Sequence, residues 1–167
     1  MIRPAHEEDM DSILAVYETA RHRMAQNGNP FQWGTNYPER RMLLEDIALG
    51  QLYVDDEGGR ICSVFMFRVA EDPTYALIKN GAWKNDEPYG TIHRIASDGQ
   101  TRGAFSRCLG FCKGLIGNIR IDTHADNLIM RRLIEKHGFE YCGVIFTEDG
   151  SPRLAYQYTG NLSAHHP

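Results

Sequence analysis

The residues best suited to chemistry lie between Ile92 and Phe139. Asp98-Gly99-Gln100-Thr101-Arg102-Gly103-Ala104 is a glycine-containing turn that leads into a helix-like segment. Such a turn gathers free backbone N–H groups at the positive end of a helix dipole. That makes an anion site, suited above all to phosphate. His93 precedes the turn in the run Ile92-His93-Arg94-Ile95-Ala96-Ser97, and His124 follows the run Ile119-Arg120-Ile121-Asp122-Thr123. An imidazole with a pKa of about 6.5 changes charge around neutrality and suits proton transfer. The four cysteines, Cys62, Cys108, Cys112 and Cys142, contain no C-x-x-C pair, so no zinc site and no other metal site is expected. Cys108 and Cys112 lie one helical turn apart on an apolar face and read as small core residues.

Positioning these groups takes a strand, the turn, a helix, a second strand and a second helix. Residues 89–97 alternate as a strand, with His93, Ile95 and Ser97 on one face and Ile92, Arg94 and Ala96 on the other. Residues 103–116 carry Phe105, Cys108, Leu109, Cys112, Leu115 and Ile116 at helical spacing. Residues 127–137 carry Ile129, Met130, Leu133 and Ile134, with Asp126 or Asn127 as the cap and Gly138 as the stop.

Upstream, 2–4 reads as a short strand, and 7–26 as a helix with Ile13, Val16, Tyr17, Ala20 and Met24 on one face. Residues 38–49 read as a second helix with Pro38 at its first position. Strands at 52–54 and 60–70 flank a turn over 55–59. The longer strand is apolar on both faces and is expected to be central. Downstream, 139–146 and 153–158 form a closing hairpin, and 160–167 is expected to fray.

At 167 residues the chain suits a single domain spanning 1–167, large enough for its own core. A 42% hydrophobic share excludes a disordered class. The net charge of -4 gives no support for nucleic-acid binding. No apolar run reaches membrane-spanning length, and Met1-Ile2-Arg3-Pro4 lacks a signal-peptide core. A soluble, cytoplasmic protein with no membrane partner is expected.

In the order of its elements, nearly the whole chain resembles the GCN5-related N-acetyltransferases (GNAT). Two stretches carry the resemblance most specifically. Ile92-His93-Arg94-Ile95-Ala96-Ser97 is similar to the family's fourth strand. Asn127-Leu128-Ile129-Met130-Arg131-Arg132-Leu133-Ile134-Glu135-Lys136-His137-Gly138-Phe139 is similar to its N-x-x-x-x-x-L-Y-E-K-x-G-F stretch. The resemblance implies an α/β (α+β mixed) fold: a bent mixed sheet of about six to seven strands with about four helices, splayed between the fourth and fifth strands. It also implies acetyl-CoA as co-substrate. The pantetheine arm would pair with a bulged fourth strand at Ile95, Ala96 and Ser97, and with Asn127. The pyrophosphate would lie on Gly99, Gln100, Arg102, Gly103 and Ala104. The family turn, R/Q-x-x-G-x-G/A, is matched by Gln100-Thr101-Arg102-Gly103-Ala104-Phe105, with Phe105 where a small residue is usual.

Acetyl transfer to an amine needs a polarised thioester carbonyl and a neutral amine. By resemblance the backbone N–H of Ile95 or Ala96 supplies the first. His93 and His124 are the candidate bases for the second, with Asp122 and Glu87 as weaker candidates. The family's acid is a tyrosine at the position that Ile134 holds here; Tyr141 lies near in sequence. Trp33, Tyr75, Trp83 and Tyr89 are candidate walls of an aromatic acceptor pocket. Asp72, Asp86 and Glu87 are candidate attractants for a cation.

The expected activity is therefore an acetyl-CoA-dependent transfer to a primary amine of a small molecule, by direct attack in a ternary complex. A protein or peptide N-acetyltransferase and a non-catalytic acyl-CoA-binding module are the alternatives. The family often dimerises, so a homodimer is compatible with the resemblance.

Overall fold

Apolar spacing decides where the helices face. In the computed structural model, which describes residues 1–160, Ile13, Val16, Tyr17 and Ala20 are all buried along one face of α1 (Met10–Gln26). The helix is entered through a 3-10 turn at Glu7–Asp9, so the expected 7–26 helix opens tighter than α-helical geometry. Arg3 explains the tight entry. Its guanidinium grips the Asp9 carboxylate through two N–H groups at 2.8 and 2.9 Å, while Asp9 also accepts from the His6 N–H. The second helix, α2 (Arg40–Ala48), starts later than Pro38, because Glu39 is extended.

The strands are β1 (Ile2–Pro4), β2 (Leu52–Glu57), β3 (Arg60–Val69), β4 (Gly90–Ser97), β5 (Ile119–Thr123), β6 (Glu140–Phe146) and β7 (Pro152–Tyr158). With α3 (Ala104–Lys113) and α4 (Leu128–Lys136) they make seven strands and four α-helices among the described residues, the mixed α/β composition expected. The expected fraying over 160–167 falls, beyond Gly160, outside the described residues. No helix among the described residues is long and apolar enough to cross a membrane.

Two compact units are distinguished. The first comprises Met1–Arg68 and Ile92–Phe111, the second Val69–Thr91 and the chain from Cys112 on. In the first, β1, β2, β3 and β4 lie in that order. β2 is antiparallel to both β1 and β3. β3 is buried from Ile61 to Phe67. Its Val64 and Met66 join Ile13, Val16, Tyr17 and Leu43 in one cluster, while Phe65 packs with Tyr53 and Phe111.

The expected turn over 55–59 is in fact only Gly58–Gly59. Asp55, Asp56 and Glu57 stay in β2, opposite Ser63, Ile61 and Arg60. An acidic run reads as a turn because charge is costly to bury. Here Asp55 is 1% exposed and is neutralised by Arg107 at 2.6 Å and by the N-terminal ammonium at 3.1 Å.

In the second unit β7 lies between β5 and β6, antiparallel to both. The connector 69–89 includes a 3-10 turn, Pro73–Tyr75, capped by Asp72. Lys79 and Val144 exchange backbone hydrogen bonds of 2.8 Å, which fastens the connector to β6. Gly81 permits the approach, since a Cβ there would lie 1.9 Å from the Cys142 carbonyl oxygen. Tyr75, Tyr89, Ile145 and Ala155 form the local core.

Candidate active site

The site candidates of the first unit follow one another along β4, the turn and the start of α3. Strict alternation along β4 ends at Arg94. This residue has φ +54°, a left-handed conformation that costs a non-glycine side chain energy and interrupts the pleat as a bulge does. Two pins hold it. The Tyr17 hydroxyl donates to the Arg94 carbonyl at 2.7 Å. The Arg94 guanidinium donates to the Asp46 carboxylate at 2.6 Å and to the Tyr37 hydroxyl at 3.3 Å. Both side chains of the ion pair are nearly buried, at 11% and 5% exposure. Burial alone would depress the guanidinium pKa, but Tyr37 and Asp46 outweigh it and raise it. Burial also pushes the Tyr17 phenol well up, so that it stays a donor.

His93 and Ile95, on either side of Arg94, are half-buried, as is Ser97, while Ala96 is buried. Trp33 packs edge-on against Tyr17, 5.7 Å between ring centroids, and tilts on Tyr37 at 6.1 Å. It is half-buried, so part of its ring remains at the surface beside the residues that pin Arg94.

Past Ser97 the chain turns with Gly99 at φ +76° and Gly103 at φ +79°. Gly99, Gln100, Arg102 and Gly103 are exposed, and Ala104, the first residue of α3, is half-buried. The Phe105 ring is 4% exposed, so it is turned into the interior and does not cover the turn. The turn is organised by Asp98, whose carboxylate accepts from the N–H groups of Gln100 and Thr101 at 2.9 and 3.2 Å and from Arg60. Burial would raise the Asp98 pKa; those N–H groups and Arg60 prevail and hold it below the usual carboxylate range.

In the second unit, Asn127 caps α4, its side-chain oxygen accepting from the Met130 N–H at 3.1 Å. His124 is half-buried, and its Nδ1 accepts from the Asp126 N–H at 3.0 Å. That nitrogen is already engaged by Asp126. Ile134, at the position of the family tyrosine, is wholly buried, whereas Tyr141 is 48% exposed.

Tyr75, Trp83 and Tyr89 are brought together, but around a side chain of this protein. The Arg120 guanidinium lies 4.2 Å from the Trp83 ring centroid and 3.9 Å from that of Tyr89. It donates to the Asn85 carbonyl at 2.9 Å, and burial lowers its pKa. Tyr75 tilts on Trp83, 4.9 Å between ring centroids, and donates to Asp122 at 2.6 Å, which engages that carboxylate. Tyr75 and Tyr89 are 2% and 8% exposed, so of the aromatic candidates only Trp33 and Trp83 keep appreciable ring area at the surface. Asp72 is 6% exposed and caps its own turn.

Sequence reasoning missed the partners that act at long range: Tyr17, Tyr37 and Asp46 for Arg94, and Arg120 for the aromatic cluster. The available signal was an arginine inside each of two largely buried strands, β4 and β5. A charge in a buried strand implies partners elsewhere.

No protein-family model and no curated protein matches the chain. Solved structures do match. An acetyltransferase of the GNAT family from Streptococcus agalactiae is 34% identical with a TM-score of 0.81, over 95% of this chain and 94% of that one. One of the same family from Listeria monocytogenes is 18% identical with a TM-score of 0.65, over 94% and 92%. The NatB acetyltransferase complex bound to CoA and MES is 17% identical with a TM-score of 0.62, over 95% and 97%.

Proposed function

The chain belongs to the GNAT family of acetyltransferases, and from that premise we propose that it moves an acetyl group from acetyl-CoA to a primary amine of a small molecule by direct attack. The observation that carries the reading is the left-handed Arg94 in β4, pinned from α1 and α2 and followed by an exposed glycine turn. A strand interrupted at that point can turn backbone groups toward an extended ligand. An exposed turn with arginines beside it suits a pyrophosphate. These residues fit acetyl-CoA.

When bound, acetyl-CoA supplies the activated acetyl thioester. The rest falls to this chain. Backbone groups of Ile95, Ala96 and Ser97 hold the extended pantetheine arm. The Ile95 N–H donates to the thioester carbonyl oxygen, where negative charge grows. Gly99, Arg102, Gly103 and Ala104 hold the pyrophosphate. Gln100 joins them through its side chain, since its N–H serves Asp98. His93 takes the proton that the ammonium must lose, through water. His124 is the second candidate base, with its Nδ1 accepting from the Asp126 N–H. Trp33 gives the acceptor an apolar wall. Tyr75 and Tyr89 act indirectly, by shaping the connector around Arg120.

The whole chain serves as one acetyltransferase domain in this reading. One observation favours a non-catalytic acyl-CoA-binding module instead: the buried Ile134 leaves the family's acid position without a proton donor. A thiol with a pKa of about 8.5 leaves adequately without one, which keeps catalysis ahead. The test is release of free thiol from acetyl-CoA across a library of small amines and peptides with free N-termini. Release with small amines supports the proposal. Release with peptides alone selects the peptide N-acetyltransferase, and CoA binding without any release selects the module.

A further inference from the structure

We propose that Arg23, in the last turn of α1, is a phosphate ligand for the anion-binding turn, reaching it from outside the strand-turn-helix segment. The inference rests on the acetyl-CoA reading. Its starting point is a close approach: a Cβ at Gly99 would stand 2.4 Å from Nη1, 2.6 Å from Cζ and 2.9 Å from Nε of Arg23. The guanidinium thus lies against the Gly99 backbone, in the space that a side chain at position 99 would take. Glycine is favoured there by φ +76°, and a side chain at 99 would have to push the Arg23 guanidinium aside.

Four arginines surround the turn, and they divide into two pairs. Arg60 is committed to Asp98 and to the Thr101 hydroxyl. Arg107 is committed to Asp55 and to the Arg102 carbonyl. Arg23 and Arg102 are exposed, and their guanidinium groups have no ion pair or hydrogen bond among the described residues. Two long cationic side chains thus stand unpaired at one small turn.

The turn also needs them. Asp98 takes the N–H groups of Gln100 and Thr101, which leaves the turn with fewer donors and places a carboxylate within it. Arg60 neutralises that carboxylate and goes no further. An incoming pyrophosphate therefore requires positive charge from elsewhere. A guanidinium fork, which binds phosphate oxygens in pairs, suits the role better than a point charge.

The test compares Arg23→Ala and Arg23→Lys with wild type by calorimetric titration, using CoA, inorganic pyrophosphate and pantetheine, which lacks the phosphates. Arg23→Ala is expected to weaken CoA and pyrophosphate about tenfold and to leave pantetheine binding unchanged. Arg23→Lys is expected to recover part of the loss. Because Arg23 is exposed, unchanged thermal melting is the control for folding. Wild-type binding of CoA with Arg23→Ala equally tight overturns the role of Arg23 alone, as does an equal loss with pantetheine. Wild-type protein that binds neither CoA nor pyrophosphate overturns this proposal and the acetyl-CoA reading together.

Discussion

The Tyr17 hydroxyl and the Arg94 carbonyl oxygen meet at 2.7 Å, joining α1 to the one residue of β4 with a left-handed backbone. Tyr17 is wholly buried, so the bond is shielded from water. Tyr17→Phe keeps the ring and removes the donor. Loss of about 1–2 kcal/mol is expected, because a carbonyl loses its partner in the interior. Urea unfolding measures it. If the bond also positions β4, affinity for acetyl-CoA falls in the same variant, whereas unchanged affinity makes the bond a stability element only.

The Arg94–Asp46 pair is predicted to be strongly coupled. Removing either partner leaves a nearly buried charge alone, at a cost of about 3–5 kcal/mol. Replacing both with alanine costs less than the two single losses added together. A double-mutant cycle on unfolding free energies checks this, and simple additivity would show that the two side chains act independently.

Much of the fold was legible because it rests on periodicity. The burial of Ile13, Val16 and Tyr17, the apolar β3 and the Asn127 cap all follow from local spacing. What was not legible depends on partners distant in sequence. Asp55 and Asp56 read as a turn until Arg107 is placed beside Asp55. Tyr75, Trp83 and Tyr89 read as an open pocket wall until Arg120 is placed among their rings. At the site, the glycine turn was visible in the sequence, but Arg23 lies far upstream in α1 and nothing local ties it to Gly99.

Acid stability is predicted to depend on Asp55 and Asp98. Burial acts to raise both pKa values, but the Arg107 and N-terminal contacts of Asp55, and the N–H and Arg60 contacts of Asp98, lower both below 3.8. A carboxylate depressed in the folded state stabilises above its unfolded value and loses that contribution as pH falls through the folded one. Wild-type stability should therefore decline as pH drops below about 4. Asp55→Asn should be less stable at neutral pH and show a shallower acid decline. An unchanged acid limb in that variant would remove Asp55 from the account.

Arg120→Ala is predicted to loosen the connector 69–89. It removes the hydrogen bond to Asn85 and the group between Trp83 and Tyr89. A loss of about 2–4 kcal/mol is expected from the cavity and the freed carbonyl. Trp83 fluorescence should shift to the red, and hydrogen exchange should speed up across the connector.

His93→Ala is predicted to reduce turnover by about 100-fold or more while keeping acetyl-CoA affinity. His124→Ala is predicted to act weakly, since its Nδ1 serves the Asp126 N–H. A large loss in His124→Ala with little effect in His93→Ala would reverse the assignment.

Calorimetric titration of the wild-type protein with acetyl-CoA tests the central claim most directly. A one-to-one binding heat is predicted, with the ligand held by β4 and the Asp98–Ala104 turn. No binding at millimolar acetyl-CoA would contradict it.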